Sequence, residues 1–297
     1  MTNVTGKNYN NRFEHLVKKH PCLGGDAHFK YGRIHLPVSP ACNIQCKFCR
    51  RSFNKFENRP GVTNSVITPE ESLAIVEKAL KLCPDITVVG IAGPGDPLAS
   101  THAVDTFKLI HRQYPELIKC LSTNGLRLAE KAQMLVEAGV TTVTVTVNAV
   151  RPEILQNICA GIILNGTHFT GKEGAERLIK AQLEGIAKIS SLGAIVKINT
   201  VLIPGINSGH VAEIAQTAAK AGASMINLIP LIPQNEMKDR AAPTCEELNR
   251  ARETVEKYLT VFRHCQHCRA DACGIPGKGQ DLAGMLYTTQ AETFSHG

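Results

Sequence analysis

The chain has 297 residues, enough for two average domains or for one α/β barrel with a sizeable core. Hydrophobic residues make up 43% and charged residues 20%, which are globular values that argue against wholesale disorder. The net charge of +7 is scattered apart from Lys18-Lys19 and Arg50-Arg51, which favours a solvated surface or a basic pocket for an anionic ligand over a nucleic-acid interface.

No apolar run is long enough to span a bilayer, and the first eleven residues lack the apolar core of a signal peptide. We therefore expect a cytoplasmic protein that binds neither a membrane nor nucleic acid. The cytosol keeps thiols reduced, so the eleven cysteines are not expected to form disulfides.

Short apolar or β-branched runs predict buried parallel strands over 33–38, 86–91, 117–121, 141–147, 194–202 and 225–231. Helical patterns follow near 70–82, 102–113, 127–138, 173–191, 209–221 and 244–262. Thr68, followed by a proline and two acids, predicts the start of the first of these helices. Three glycines stand where helices end and a left-handed residue is wanted, namely Gly139, Gly193 and Gly222.

Six successive βα units predict a parallel α/β fold, open or closed into a barrel. No repeat or linker divides the chain into two bodies. We interpret residues 31–262 as an α/β partial barrel, preceded by an N-terminal cluster-binding extension over 1–30 and followed by a C-terminal cluster-binding tail over 263–297. Ligands in such folds bind at the carboxyl ends of the strands.

A cysteine triplet, Cys42, Cys46 and Cys49, follows the first strand with C-x3-C-x2-C spacing. Three thiolates can hold three irons of a [4Fe-4S] cube and leave the fourth iron open to a small molecule. A zinc site would prefer two C-x2-C knuckles or added histidines, and a plain ferredoxin cluster would want a fourth nearby cysteine. Neither alternative fits this spacing well.

The triplet, with Phe48 before its last cysteine, resembles the radical S-adenosylmethionine (SAM) superfamily. The resemblance implies a partial (β/α)6-type TIM barrel, a [4Fe-4S] cluster and SAM as cofactors, and cleavage of SAM to methionine and a 5′-deoxyadenosyl radical. The SAM contacts that it implies are Phe48, Gly93, Gly95, Asp96, Ser122, Asn124, Thr146, Asn148 and Ile198. Strand-end Asn and Thr residues are often only turn formers, and Pro94 and Asp96 depart from the commonest Gly-Gly-Glu form, so the part played by Asp96 stays open.

Other cysteines recur near both ends. Cys265, Cys268 and Cys273 form a C-x2-C-x4-C arrangement flanked by histidines, which indicates a zinc or iron–sulfur site. Cys22 precedes the barrel, and Cys120 ends the third strand, where it would face the cavity of the triplet. His35 on the first strand could reach that cavity or be a hydrogen-bonded core histidine. Inert core thiols are expected at Cys83, Cys159 and Cys245.

Five segments together resemble the NifB family of nitrogenase iron–molybdenum cofactor biosynthesis proteins in its compact, stand-alone form: His20-Pro21-Cys22, 40–61, 92–98, 120–125 and 268–271. The resemblance implies that two further [4Fe-4S] clusters bind as substrates. They would be fused, with a carbon from the SAM methyl group and an added sulfur, into an [8Fe-9S-C] precursor.

The same resemblance implies the ligand sets. One substrate cluster would be held by Cys22 and Cys120, with His35 as a possible third ligand, and the other by Cys265 and Cys268. The family motif does not demand a cysteine at position 273, so Cys273 is an optional ligand. The candidates for proton handling or anion binding are Glu57 and Arg59, with an ordinary surface ion pair as the alternative.

Implied partners are scaffold or carrier proteins of nitrogenase cofactor assembly, an iron–sulfur cluster donor, and a reductant such as ferredoxin. Two alternatives remain open. Another radical SAM maturase or cyclase would keep its auxiliary clusters and act on an organic substrate. A non-catalytic iron–sulfur or zinc carrier would make no 5′-deoxyadenosine from SAM.

Overall fold

The computed structural model describes residues 14–287. Its strands are β1 (Gly32–His35), β2 (Ile44–Cys46), β3 (Ser52–Phe53), β4 (Val62–Thr63), β5 (Ile86–Ile91), β6 (Ile118–Thr123), β7 (Val140–Thr146), β8 (Cys159–Leu164), β9 (Thr167–Thr170), β10 (Ile195–Leu202), β11 (Met225–Pro230), β12 (Thr260–Val261) and β13 (Cys273–Gly274). Its α-helices are α1 (Glu14–Val17), α2 (Gly25–Lys30), α3 (Glu71–Leu82), α4 (His102–Gln113), α5 (Leu128–Glu137), α6 (Pro152–Leu155), α7 (Gly171–Ser191), α8 (Val211–Ala221), α9 (Cys245–Val255) and α10 (Ala283–Leu286).

The central sheet has eight strands in the order β12-β11-β10-β7-β6-β5-β1-β13. Seven of them run parallel to their neighbours, and β13 lies antiparallel beside β1. All six predicted strands are present in this sheet, and each is followed by the predicted helix. The predicted partial barrel of α/β type is therefore confirmed.

The helix ends follow the sequence signals with one exception. Thr68 and Glu71 exchange hydrogen bonds at the start of α3, and Gly139, Gly193 and Gly222 have φ values of 81°, 95° and 109°. The prediction that the last helix reaches residue 262 was wrong, because α9 stops at Val255. The chain then joins the edge of the sheet, where the Phe262 N–H donates to Ile226 O at 2.9 Å.

Alternate strand residues face the helices and the barrel interior. The outward side chains form the main hydrophobic core with the helices, as Ile34, Leu121 and Ile198 illustrate. Apart from apolar residues such as Ile118, Ile195 and Val201, the inward side chains of the same strands are polar or thiol-bearing. They include Arg33 and His35 on β1, Cys120 and Ser122 on β6, and Lys197 and Asn199 on β10. No helix among residues 14–287 is long and apolar enough to cross a membrane.

Both predicted extensions pack on the barrel. Leu16 and Leu23 of the N-terminal segment join Val88, Ile118 and Phe262 in a hydrophobic cluster beneath the interior. At the other end of the chain, β13 extends the sheet beside β1, and Tyr287 is buried in the main core. The outer parts of the predicted extensions, residues 1–13 and 288–297, lie outside the described residues.

An insertion between β7 and α7 was not predicted. It contains α6 and the hairpin β8-β9, whose two-residue turn has Asn165 at φ 52° and Gly166 at φ 78°. An Asn-Gly pair between apolar runs is the strongest local hairpin signal, so the sequence did carry the information. Because β8 also pairs antiparallel with β2, this insertion braces the strand that carries Cys46.

Candidate functional site

A cavity of about 710 Å³ lies at the carboxyl ends of the central strands. Its walls come from the triplet loop, the strand-end loops and the insertion. The predicted site residues that line it are Cys42, Cys46, Phe48, Cys49, Arg59, Gly95, Asp96, Ser122, Asn124, Thr146 and Asn148. The structure thus brings together residues that are more than 100 positions apart in the sequence.

The triplet loop is held from two sides. Backbone N–H groups of Gly95 and Asp96 donate to Ser39 O at 2.6 Å and to Ala41 O at 2.8 Å. On the other side, the Lys47 N–H donates to Ile158 O of the insertion at 2.8 Å. These contacts fix the backbone around the three thiols before any ligand is present.

Burial raises the pKa of all three triplet thiols. The value for Cys42 rises to about 12, and that of Cys46 lies well above its ordinary range because burial is reinforced by the neighbouring thiol of Cys159. Burial likewise raises the pKa of Cys49. Thiolates are the iron ligands, so metal binding must take a proton from each of these groups.

The donor set of this cavity fits a [4Fe-4S] cluster with one open iron. Three thiols share one wall, and the other walls offer backbone and side-chain oxygens of Ser122, Thr146 and Asn199 to a polar ligand. Beside Cys42, the Nδ2 atom of Asn43 is buried without a hydrogen-bond partner and could donate to such a group. These three thiols would hold the cluster.

Cys159 was predicted to be an inert core thiol, but its position also brings it to the wall of the cavity. It is buried, but it also lines the cavity and lies opposite Cys46 in the β2–β8 pairing. Its Sγ donates to Gly161 O at 3.3 Å, so the thiol is hydrogen-bonded to its own strand.

Asp96 ties the end of β5 to the end of β6. Its carboxylate is buried and accepts from Leu98 N–H at 2.9 Å, Asn124 N–H at 2.6 Å and the Thr123 hydroxyl at 2.9 Å. Burial raises the pKa of Asp96, and these hydrogen bonds oppose that rise. The role left open by the sequence includes positioning two strand-end loops of the cavity.

Replacing Asp96 by alanine should lower the free energy of unfolding by about 3 kcal/mol, because three buried donors lose their acceptor. Urea unfolding of the metal-free protein under anaerobic conditions measures this loss. Asp85→Ala, at an exposed position before β5, is the matched control and should change stability little. Equal stability of the two variants would contradict the positioning role.

Gly95 allows two backbones to approach closely. A Cβ atom at this position would lie 1.9 Å from Ala41 O and 2.9 Å from Ser39 O, both of them backbone atoms in the triplet loop. Any side chain must therefore displace the loop that carries Cys42.

Gly95→Ala should lower the free energy of unfolding by about 1–3 kcal/mol, as overpacking does, and should reduce iron retention after anaerobic reconstitution. Gly209→Ala is the control, since nothing lies within 4 Å of a Cβ atom there. Iron per chain and urea midpoints are compared for the two variants. Normal iron binding by Gly95→Ala would show that the close approach is dispensable.

The remaining strand-end residues divide into cavity walls and turn formers. Asn124 Oδ1 accepts from Leu126 N–H, and Asn148 Oδ1 accepts from Val201 N–H, both at 2.9 Å. Ile198 turns its side chain into the main core, so only its backbone could contact a ligand, while Asn199 lines the cavity. Gly93 adopts φ 135° between the cavity-lining residues on either side of it.

Gln182 was missed by the sequence reasoning. It is buried on α7, lines the cavity, and donates through Nε2 to Asn124 O at 2.8 Å and Thr146 O at 2.9 Å. In the sequence, Gln182 is a polar residue between Ile179 and Ile186 on the buried face of a helix. A single amide on an apolar stripe does not say which carbonyls it will bind.

Glu57 and Arg59 form an ion pair at the edge of the cavity. Arg59 is buried, and its Nε donates to Glu57 Oε2 at 2.6 Å and its Nη2 to Ser52 Oγ at 2.9 Å. Of these two residues, only Arg59 lines the cavity. The contacts agree with the ion-pair interpretation and place the guanidinium, rather than the carboxylate, where a ligand could meet it.

A second set of thiols and imidazoles lies deeper in the barrel, although no group of three His, Cys, Asp or Glu side chains within residues 14–287 is close enough to hold a single metal ion. We call Cys22, Cys120, Cys268, His20 and His35 the inner cluster. Cys120 lies in the middle of β6, below the cavity rather than in its wall as predicted. Burial raises the pKa of Cys22 to about 12; the charge of Lys197 opposes this rise, and the Cys268 and Cys120 thiols add to it.

The imidazole of His35 is suited to ligate a metal. Its Nδ1 lies 3.0 Å from the Arg269 carbonyl oxygen, which can only accept, so Nδ1 carries the proton and Nε2 is bare. Burial, with help from the Arg33 charge, lowers the pKa of His35 to about 4, and the ring is therefore neutral at pH 7.

The tail cysteines lie in three different surroundings. Arg33 Nη2 donates to Cys268 Sγ at 3.2 Å within the inner cluster, whereas Cys265 packs beneath the barrel beside Phe262. The assignment of Cys265 and Cys268, three residues apart, to one cluster stays a prediction. Arg269, the next residue in the chain, holds Cys268 in position. Its guanidinium donates to Asp271 and to the backbone carbonyls of residues 54 and 57.

Cys273 does not join the candidate ligands. It is fully buried in the main core and lies opposite Ile34 in the β1–β13 pairing, so both side chains face outward from the barrel interior. Its inclusion among the metal ligands is corrected by this placement. The tail thiols consequently do not form the zinc-type arrangement that their spacing allowed.

Comparison with known proteins identifies the family. The model of the Radical SAM superfamily matches residues 36–218. The chain is 51% identical over 266 residues to the FeMo cofactor biosynthesis protein NifB of Methanocaldococcus infernus, with 89% of this chain and 88% of that protein covered. The chain belongs to the radical SAM superfamily and, within it, to the NifB family.

Other NifB relatives support this family assignment. The protein of Methanocaldococcus jannaschii is 50% identical, with 91% of this chain and 90% of that protein covered. The protein of Klebsiella pneumoniae is 41% identical over 87% of this chain, which spans 57% of that longer relative. A radical SAM methyltransferase from Sphaerobacter thermophilus shares the fold, with a TM-score of 0.50 at 18% identity over 78% of this chain and 64% of that one.

Membership of the radical SAM superfamily implies a [4Fe-4S] cluster and SAM. In this NifB-family chain, the triplet cavity is where the residues fit both. When bound, the two cofactors supply the reductive cleavage of SAM. The chain itself supplies three thiols, a braced loop and a polar wall at the strand ends.

Proposed function

We propose that this NifB-family protein is a radical SAM enzyme of FeMo cofactor biosynthesis that fuses two [4Fe-4S] substrate clusters. A carbon from the SAM methyl group and an added sulfur would complete the [8Fe-9S-C] product. One observation carries the proposal. Cys120 of the inner cluster lies on the same inward face of β6 as Ser122, which lines the SAM cavity, and two residues below it.

The strand geometry supports transfer between these two places. Cys120 and Ser122 point to the same side of β6, and residues two apart on a strand are separated by about 6.6 Å. Lys197 and Asn199 repeat this step on β10. A group bound at the inner cluster would therefore lie directly below the ligand of the outer cavity.

The small number of ligands fits a substrate better than a resident cofactor. Four thiolates would lock a cluster in place, whereas a product that must leave needs few. Cys22, Cys120 and His35 are our proposed ligands for one substrate cluster, and Cys265 and Cys268 for the other. Cys268 Sγ lies 3.2 Å from Nη2 of Arg33, which is on the strand that carries His35, and this supports two adjoining ligand sets of the kind that fusion of two clusters requires.

The proposed partners are an iron–sulfur donor, a reductant such as ferredoxin, and a scaffold or carrier protein that accepts the product. The test is to load the protein anaerobically with iron and sulfide, add SAM and reductant, and follow iron to a nitrogenase-assembly carrier. About eight of about twelve irons per chain should leave, since only the SAM-binding cluster stays.

Each rival function predicts a different outcome. If all iron remains bound while a small organic molecule or a peptide is modified, the protein is another radical SAM maturase. If the reduced protein makes no 5′-deoxyadenosine from SAM, it is a non-catalytic carrier. Either result would reject cluster fusion.

A further inference from the structure

Two buried cations beside the inner cluster have no carboxylate partner. Arg33 and Lys197 are only 6% and 7% exposed, and neither takes part in a salt bridge among residues 14–287. The buried carboxylate of Asp271 is already paired with Arg269 at 2.8 Å. A buried charge without an opposite charge is costly, so this arrangement is incomplete as it stands.

The contacts of these cations are carbonyl oxygens, a thiol and an aromatic ring around the inner cluster. Arg33 donates to Gly274 O at 2.7 Å and to Cys268 Sγ at 3.2 Å. Lys197 Nζ donates to Cys22 O at 3.2 Å and lies 5.2 Å from the centre of the Phe262 ring. The carbonyls and the ring compensate part of each charge, but none of them carries a negative charge.

Two hydrogen-bond donors in the same place are also unpartnered. Arg33 Nε and His20 Nε2 are buried without a hydrogen-bond partner. The N–H of Cys22 donates to His20 Nδ1 at 3.0 Å, so Nδ1 is an acceptor and the ring proton must be on Nε2. Both orphaned atoms are therefore N–H donors, and what they lack is an acceptor.

We propose that Arg33, Lys197 and His20 form an anionic-substrate frame, which binds a thiolate-ligated iron–sulfur cluster through its negative charge and its sulfides. Cys22, Cys120 and His35 contact the irons of this cluster, and the frame contacts its sulfur side. This inference rests on the proposed function, because it concerns the substrate of the same site. It assigns to the three residues a positioning and charge-selecting role that iron ligation does not provide.

The frame should have two opposite effects: it favours the reduced state of a bound cluster, and it destabilises the metal-free protein. Positive charge and N–H···S hydrogen bonds stabilise the reduced state of a cluster, so they raise its reduction potential. In the metal-free protein the same cations are uncompensated, so replacing one of them with an apolar residue of similar length should stabilise the fold. A residue that merely fills space would not give both effects.

Lys197→Met tests the frame, and Lys197→Arg is the matched control that keeps the charge. Full-length proteins are reconstituted anaerobically with iron and sulfide, without SAM. Three quantities are measured: iron loss to a chelator, the midpoint potential of each cluster signal in electron paramagnetic resonance (EPR), and the urea midpoint of the metal-free protein. The signal that responds to later addition of SAM serves as an internal reference.

For Lys197→Met we expect about tenfold faster loss of the inner iron, as when a group that supports metal ligands is removed. The potential of the inner cluster should become more negative, the SAM-responsive signal should not move, and the urea midpoint of the metal-free protein should rise. Lys197→Arg should restore iron retention and potential. His20→Phe, which removes the Nε2–H donor together with the Nδ1 acceptor of the Cys22 N–H, should shift the inner potential in the same direction.

Three results would overturn the frame. These are an unchanged potential in Lys197→Met, equal losses in Lys197→Met and Lys197→Arg, or a metal-free protein that Lys197→Met destabilises. If Lys197→Met does not fold, His20→Phe decides by the same potential. Failure of the proposed function looks different, because all iron would then stay on the wild-type protein after SAM, reductant and the carrier protein are added.

Discussion

Replacing Cys42, Cys46 or Cys49 by alanine should abolish cleavage of SAM to 5′-deoxyadenosine. Each thiol lines the cavity, and no other group of the described triplet loop can take its place as a soft iron ligand. A cube held by two thiolates is readily lost, so about four of about twelve irons per chain should go with it. Iron analysis and chromatography of the quenched reaction measure both losses.

The control for the triplet is Cys245→Ala. Cys245 is exposed at the start of α9 and belongs to neither group of candidate ligands, so iron content and SAM cleavage should stay at wild-type levels. Cys159→Ala is a stricter comparison, because this thiol shares the cavity but is hydrogen-bonded to Gly161 O. A triplet variant that still makes 5′-deoxyadenosine would remove the cluster from the cavity we assign to it.

Replacing Cys22 or Cys265 by alanine should separate SAM cleavage from product formation. Neither thiol lines the SAM cavity, so 5′-deoxyadenosine should still be made at rates close to wild type. Iron transfer to the carrier protein should nevertheless fall to background, because one substrate cluster loses a ligand that it has few of. The SAM-responsive EPR signal and the transferred iron are measured on the same sample.

Cys273→Ala provides the contrast for these ligand variants. Its thiol is buried in the main core, so its removal should lower stability by about 1 kcal/mol and leave iron transfer unchanged. The role assignments fail if Cys22→Ala stops SAM cleavage while Cys273→Ala stops transfer. They also fail if Cys22→Ala transfers iron normally.

The sequence predicted the elements and the outer site well because both depend on local or short-range patterns. Apolar runs and helix caps such as Thr68 located the six βα units, and the spacing of Cys42, Cys46 and Cys49 located the cavity. A position at the end of a strand was then enough to predict that Ser122 and Thr146 line this cavity, because parallel strands end at one edge of the sheet.

What the sequence did not predict depends on which face a side chain takes or on distant contacts. Cys273 has the spacing of a ligand, but its register opposite Ile34 turns it into the core. Cys268 was assigned from its neighbours in sequence, which did not predict its contact with Arg33 or the anchoring of Arg269 beside it. No periodic pattern reports contacts between residues 235 positions apart.

The fate of the SAM methyl carbon tests the central claim most directly. Anaerobically loaded protein is given SAM labelled with carbon-13 in its methyl group, and the iron–sulfur product is collected on the carrier protein and broken down in acid. The proposed function predicts that the label leaves with the iron, at about one carbon for each eight irons transferred. Label found only in methionine or in an organic product, with no labelled carbon in the transferred cluster, would contradict it.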